Sequence, residues 1–355
     1  MQSSKNKLSY KIANVSNLHK LNKMILILNP NSQGGNTGKN WIDTYSNIKE
    51  FLPRRHKIIF TKKANDGTLM TRKLLRKGYK NIVAVGGDGT INEIANGFFD
   101  LKPKNKQTVD FGKFKLNSRL NLVNPEGVMW VVPSGTRNVF GRSLGVQHQG
   151  NESLMRLRHM KRRKIDVIGA TLTDRDDPTV THNRIVLNAA EIGVGAEIIE
   201  RSKRVRGKIK SRLISTMAGI VATLPSYDSN ECDIVIDRNK KISSRMTMGI
   251  VANGKFLGGG FNAAPRAKLS DGMMDVVILK NSGSIKMLDK IIQLKGTSTY
   301  KYEEDILYYQ ASEVTFLPKE KPVTVSLDGE PIGILPAIFK IYHNALTIKS
   351  EATLS

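Results

Sequence analysis

The chain has 355 residues, enough for two domains with separate cores, and 39% of them are hydrophobic. No apolar run is long enough to span a membrane as a helix, and a single cysteine, Cys232, excludes an intramolecular disulfide or a cysteine-cluster metal site and fits a reducing cytoplasm. A formal net charge of +25 implies an anionic partner such as a phosphorylated substrate, anionic lipid headgroups or nucleic acid.

Residues 1–23 are polar and basic without the apolar core of a signal peptide, and read as a basic tail. Residues 24–28 form a short apolar strand, ended by Asn29-Pro30-Asn31-Ser32. The loop Gln33-Gly34-Gly35-Asn36-Thr37-Gly38-Lys39 leads into a helix marked by Trp41, Tyr45 and Ile48. It resembles half of a P-loop but fails the full pattern, since only three residues separate Gly34 from Gly38 and Asn40 stands where Ser or Thr would bind magnesium. It reads as a second phosphate-facing loop, at the same sheet edge as the glycine turn over 86–89, with a plain surface loop as the alternative. A strand over 58–61 and a helix over 66–77, stopped by Gly78, follow.

The most informative stretch is Ile82-Val83-Ala84-Val85-Gly86-Gly87-Asp88-Gly89-Thr90-Ile91-Asn92-Glu93. Four apolar residues read as a fully buried strand, and three glycines around Asp88 let the backbone turn sharply towards a ligand. Thr90 and Glu93 have capping-box spacing, which predicts a helix from Thr90 whose free N–H groups suit phosphate. A bare carboxylate would repel phosphate, so Asp88 makes sense as a Mg²⁺ ligand or as a base for an attacking hydroxyl. The plainer alternative is that it caps backbone donors of the turn.

Residues 101–127 read as a surface insertion. A strand over 128–132 then opens into Pro133-Ser134-Gly135-Thr136-Arg137-Asn138, a third small-residue turn. Thr136 and Asn138 suit a nucleotide's phosphates or sugar and Arg137 adds charge, although ordinary turn chemistry would use the same residues. The β-α alternation predicts a parallel sheet with helices on its faces and ligands beyond the C-terminal strand ends.

After residue 164 many short segments alternate apolar and polar residues: 165–172, 184–187, 232–237, 246–252, 275–279, 314–317, 323–327, 338–342 and 346–348. They predict an antiparallel β-sandwich, interrupted by helices near 195–224 and 284–294. The boundary falls between Leu144 and Lys164, giving an α/β domain over 24–150 and a sandwich domain over 151–355.

Taken in order, the blocks Asn29-Pro30, 86–97, 133–138, 188–195, 253–260, 264–275 and Asp328-Gly329-Glu330 resemble the diacylglycerol kinase catalytic family. The likeness is to its bacterial and archaeal lipid-kinase branch, to which sphingosine and ceramide kinases are related. It implies a nucleotide-binding domain like that of NAD kinases and diacylglycerol kinases, joined to a sandwich domain across an active-site cleft. It also implies transfer of the γ-phosphoryl group of ATP, with Mg²⁺, to a lipid hydroxyl. By position, Asn29, Gly86, Gly87, Asp88, Gly89, Thr90, Glu93, Thr136 and Asn138 would line the nucleotide. Asp328 would act as general base, with Asp88 and Glu330 acting through metal and water; exchanging the roles of Asp88 and Asp328 stays open. Without the resemblance, 327–330 reads as a hairpin turn with solvent-facing acids.

Asp271, in Leu269-Ser270-Asp271-Gly272, matches a block that holds a structural Mg²⁺ in some members, though Ser270 replaces a second acid found in some of them. Gly258-Gly259-Gly260 reads as a place of close backbone approach. Arg137 stands where many relatives have Gly or Ala, and Val139 where they have an acid.

Two basic clusters suit an anionic membrane: Arg156, Arg158 and residues 161–164, and then Arg201, Lys203, Arg204, Arg206, Lys208, Lys210 and Arg212. Each such charge near anionic lipid is worth ~1 kcal/mol, and the apolar helical spacing over 213–224 suits interfacial docking, against a solvated basic face as the alternative. The six histidines show no metal-ligand spacing. The expectation is a peripheral, cytoplasmic lipid kinase binding ATP, a diacylglycerol-like or other long-chain alcohol and an anionic membrane surface, with no specific nucleic acid and a homodimer left open. The rivals are an NAD kinase-type enzyme for a soluble metabolite and a non-catalytic binder of anionic lipid or nucleic acid.

Overall fold

A computed structural model describes residues 23–102, 104–106, 109–146, 148–206, 223, 226–257, 261–281 and 304–351. Residues 1–22, the run Gly258-Gly259-Gly260, Lys208, Lys210 and Arg212 of the second basic cluster, the helix foreseen over 284–294 and all of 213–224 except residue 223 lie outside these residues. Val194–Arg206 forms the first part of the helix foreseen near 195–224.

The first half is built on β1 (Met24–Leu28), β2 (His56–Phe60), β3 (Asn81–Gly86) and β5 (Val128–Pro133), which pair in parallel in the order β2-β1-β3-β5. Strand periodicity explains why the runs carry no polar residue. Ile25, Ile27, Ile82, Ala84, Met129 and Val131 fill a core on one face. Leu26, Leu28, Val83, Val85, Trp130 and Val132 fill another on the opposite face. Helices α1 (Trp41–Ile48), α2 (Asp66–Arg76) and α3 (Asp88–Asn96) connect these strands.

The second half is antiparallel. β6 (Lys161–Thr173), β7 (Val180–Val186), β8 (Ala189–Gly193), β9 (Asn230–Ile236), β10 (Lys240–Ala252), β11 (Met274–Lys280), β12 (Ile306–Ala311), β13 (Glu313–Pro318) and β14 (Thr324–Leu327) surround the long β15 (Glu330–Ser350). Alternate residues, among them Ile168, Ala170, Leu172, Ile234, Phe316 and Phe339, make the sandwich core. The short β4 (Lys104–Lys106) of the insertion pairs with β7.

The two halves share one 15-stranded mixed sheet and are not two sheets joined by a linker. β15 is the seam: it pairs antiparallel with β6 over most of its length and in parallel with β5 at Ile348 and Lys349. The predicted strands 338–342 and 346–348 are parts of this one strand, separated by a register shift between Tyr342 and Leu346. A second tie is α3, where Asn96 both donates to Ile185 O and accepts from Ile185 N–H, at 3.0 and 2.9 Å. A parallel nucleotide-type half thus faces the sandwich across a fixed junction.

Candidate active site

The predicted strand–glycine turn–helix forms, but α3 begins at Asp88 with Gly87 as N-cap, and no side chain closes a capping box. Thr90 Oγ1 instead accepts Asn29 Nδ2 at 3.1 Å, stapling the β3 turn to the end of β1. Glu93 accepts Asn65 N–H and Gly67 N–H at 2.9 and 3.0 Å, capping the neighbouring α2. Burial pushes its pKa up, with those two bonds opposing. Asp88 Oδ1 accepts Phe140 N–H at 3.0 Å, so it helps cap the short helix α4 (Val139–Ser143). Among the described residues its other oxygen accepts nothing.

The third loop is held from within. Asn138, 1% exposed, accepts Gly135 N–H and donates to Gly135 O and Gln149 Oε1. It therefore shapes the turn from within, with Thr136 exposed at the tip. This turn packs glycine on glycine against the β3 turn. A Cβ on Gly135 would overlap Gly87 Cα, and one on Gly87 would lie 3.3 Å from Gly135 Cα.

The sandwich half contributes the Asp328-Gly329 hairpin, with φ of 48° and 80°, as a tight two-residue turn requires. This conformation folds the Asp328 side chain back, away from the solvent-facing position of a simple hairpin acid. Its carboxylate accepts Leu187 N–H at 2.8, Asn188 N–H at 2.9, Ala189 N–H at 3.0 and Asn92 Nδ2 at 2.5 Å. An ionised carboxylate offers about four acceptor positions, and in this structure all of them are filled. Burial pushes Asp328 up to about 6, the four bonds opposing.

These loops enclose a cleft of about 440 Å³. Of the residues expected at the site, Asn29, Gly87, Asp88, Gly89, Thr90, Glu93, Thr136, Asp328 and Glu330 line it; Gly86 and Asn138 support its loops from behind. Asp271 does not reach it. Asp271 is exposed and its Oδ1 accepts Met273 N–H at 3.0 Å, closing a turn that buried Asp166 anchors through Gly272 N–H and Asn344 N–H. Among the described residues no three His, Cys, Asp or Glu side chains gather as a protein-only metal site. The cleft itself suits magnesium held largely by phosphates and water, with one carboxylate oxygen at Asp88 available and glycine backbone where side chains would crowd the phosphates.

Residues 23–170 match the diacylglycerol kinase catalytic domain, and residues 188–350 the YegS C-terminal NAD kinase beta sandwich-like domain. The chain thus joins a region similar to the diacylglycerol kinase catalytic domain to a YegS-like sandwich region. The diacylglycerol kinase of Bacillus subtilis (strain 168) is 26% identical over 278 residues, spanning 78% of this chain and 79% of the relative. That of Staphylococcus aureus (strain JH9) is 25% identical over 282 residues, 79% and 77% of the two chains. The crystal structure of a diacylglycerol kinase from Bacillus anthracis str. Sterne has a TM-score of 0.63 at 19% identity, covering 94% of this chain and 98% of that one. A second Bacillus anthracis structure gives 0.68 at 21% identity, covering 92% and 96%. The chain is a lipid kinase.

In this lipid kinase the cleft also contains an acid that the motifs did not single out. Glu191 of β8 lines it beside Asp328 and opposite Arg137. Burial pushes its pKa up to about 7, Arg137 pulling down and Asp328 adding to the rise. The signal was present in the 188–195 block, as an acid between Ala190 and Ile192 of a buried strand.

Proposed function

We propose that this lipid kinase uses ATP with Mg²⁺ and transfers the γ-phosphoryl group to the hydroxyl of a diacylglycerol-like or other long-chain lipid alcohol. The observation that carries the reading is the convergence of glycine turns from β3 and β5 with carboxylates from both halves on one cleft. Phosphoryl transfer needs positioning and charge compensation more than covalent help, and this cleft is built for both. Magnesium, when bound, offsets charge on the phosphates. The N–H groups at the start of α3 and the loop around Gly135 would face those phosphates, and Asp88 would hold the metal. Arg137 adds a positive charge to the lining. Leu187, Ile199 and Leu257, among the apolar members of the lining, supply a path for the acyl part of the acceptor.

Among the described residues no helix is long and apolar enough to cross a membrane. In this reading the protein reaches lipid from the cytoplasm as a peripheral protein. Lys161, Arg162 and Lys164 are exposed on β6, where Arg162 lies opposite Lys349, whose ammonium sits 4.2 Å from the Trp130 ring centroid. Such a strip of like charge suits an anionic bilayer.

The test is incubation with γ-labelled ATP and a panel of detergent-solubilised lipids. Label is expected in a lipid phosphate, is lost when EDTA removes magnesium, and does not enter NAD. Labelled NAD without labelled lipid would favour the soluble-metabolite reading, and no turnover at all would leave a binding protein.

A further inference from the structure

We infer that Arg142, Lys255 and Lys268 form a binding site for a phosphate group at the seam between the two halves, outside the catalytic cleft. The ligand is a phosphate monoester or diester of a phospholipid headgroup, or free phosphate. Such binding needs no turnover and stands apart from the reaction assigned to the cleft.

A cavity of about 150 Å³ lies between α4 and the segments that carry Gly254 to Phe256 and Ala267 to Leu269. At about 30 Å³ per water it holds about five waters, room for one phosphate group but not for a nucleotide. Arg142, Lys255 and Lys268 line it, and its lining contains no Asp or Glu. Among the described residues none of the three has a carboxylate partner. Cations elsewhere in the sandwich half are matched: Arg238 pairs with Glu313, and Lys319 with Glu231 and Asp233. Three like charges around one small cavity repel each other. A phosphate group supplies the opposite charge and several acceptor oxygens, which suit guanidinium and ammonium donors.

The three cations stand on fixed backbone. Arg142 is in the last turn of α4, and its guanidinium carbon lies 4.4 Å from the centroid of the Phe256 ring, which orients the planar fork. Lys255 O accepts Ala264 N–H at 3.2 Å, and Leu269 O, next to Lys268, accepts Asp166 N–H at 2.7 Å. Arg142 and Lys268 are exposed and Lys255 is half-buried, so an anion reaches them from solvent.

Arg142 belongs to the first half and both lysines to the second, so one anion bridges the halves. Asn188, which lines the catalytic cleft, is bonded to the lining of this cavity. It accepts Ser143 Oγ–H at 2.7 Å, donates to Phe256 O at 2.5 Å and gives its own N–H to Asp328 at 2.9 Å. Gly254 permits that closeness, since a Cβ there would overlap Asn188 Oδ1 and Ser143 Oγ. Asp88 holds the other end of α4 through Phe140 N–H. An anion on Arg142 therefore braces the short helix that borders the catalytic cleft.

The test is calorimetric titration of inorganic phosphate into the full chain at constant ionic strength, with sodium chloride as the reference salt. Wild type is expected to bind. A variant carrying Arg142→Gln, Lys255→Gln and Lys268→Gln together loses at least about tenfold in affinity, the expected effect of removing charge-assisted contacts. Lys255→Gln with Lys268→Gln keeps the Arg142–Phe256 contact and loses about tenfold with an unchanged melting temperature, which separates lost binding from lost folding. Phosphate held in the catalytic cleft instead would bind all three proteins alike; that result, or no binding by wild type, overturns the site. Cosedimentation with phosphatidylcholine vesicles containing phosphatidic acid or phosphatidylglycerol identifies the source. With a headgroup as occupant, the variants sediment less than wild type and free phosphate competes. With free phosphate as occupant, all sediment alike and differ only in the titration. A chain that binds phosphate here yet phosphorylates no lipid would refute the reading of the cleft and leave this site standing.

Discussion

Asp328→Asn is expected to lower the melting temperature by about 10 °C and to abolish phosphoryl transfer along with it. The carboxylate is the meeting point of three segments: the β14–β15 hairpin, the backbone of Leu187, Asn188 and Ala189, and Asn92 on α3. Asparagine keeps the volume but has one oxygen and an NH₂ group. It satisfies about two of the four donors and points its own hydrogens at the others. Each buried donor left without a partner costs about 1–3 kcal/mol, so the loss is about 3–5 kcal/mol. At about 2–4 °C per kcal/mol for a large domain, this corresponds to the stated shift. Calorimetry alongside the lipid assay checks it. A variant that is inactive yet melts with the wild type would return Asp328 to direct participation in chemistry.

Local signals made the elements legible where local chemistry decides them. β1 spans Met24–Leu28 as the apolar run indicates, and α2 starts at Asp66 as its pattern requires. The glycine turn was legible for the same reason: only small residues allow that backbone path. What escaped was decided by distant partners. Thr90 and Glu93 have capping-box spacing, but Asn29 claims one and the α2 N-terminus the other, and neither competitor lies within 25 residues of its partner in the chain. β8 was missed because Ala-Ala-Glu-Ile-Gly has little strand propensity; its pairing with β10 and β14 makes it a strand. The Asp328 hairpin was legible as a turn, while the inward direction of its side chain depends on three amides about 140 residues earlier. Asp271 was placed by resemblance alone, and in the fold its Oδ1 closes its own turn, away from the cleft. A motif thus located the cleft, and the hydrogen-bond inventory sorted which of its acids are available.

Gly135→Ala is expected to remove activity by disturbing nucleotide binding, with little effect on lipid affinity. The turns after β3 and β5 touch through Gly87 and Gly135, and an alanine methyl at 135 would fall inside contact distance of Gly87 Cα and 2.8 Å from Asn138 Oδ1. Both neighbours are fixed. Gly87 is the N-cap of α3, and Asn138 is buried with its side chain bonded to Gly135 and Gln149. The methyl is therefore accommodated by parting the two turns, which moves the N–H groups meant for the phosphates. A displacement of about 1 Å at positioning groups costs on the order of 100-fold in rate. Gly87→Ala presses on the same contact at 3.3 Å, a distance that a few tenths of an ångström relieves, and should cost less. The check is KM for ATP and kcat across wild type, Gly87→Ala and Gly135→Ala: the defect should grow in that order and appear first in the nucleotide term. If Gly135→Ala binds and turns over ATP like wild type, the phosphates do not lie between these turns, and the nucleotide must enter the cleft from its sandwich side.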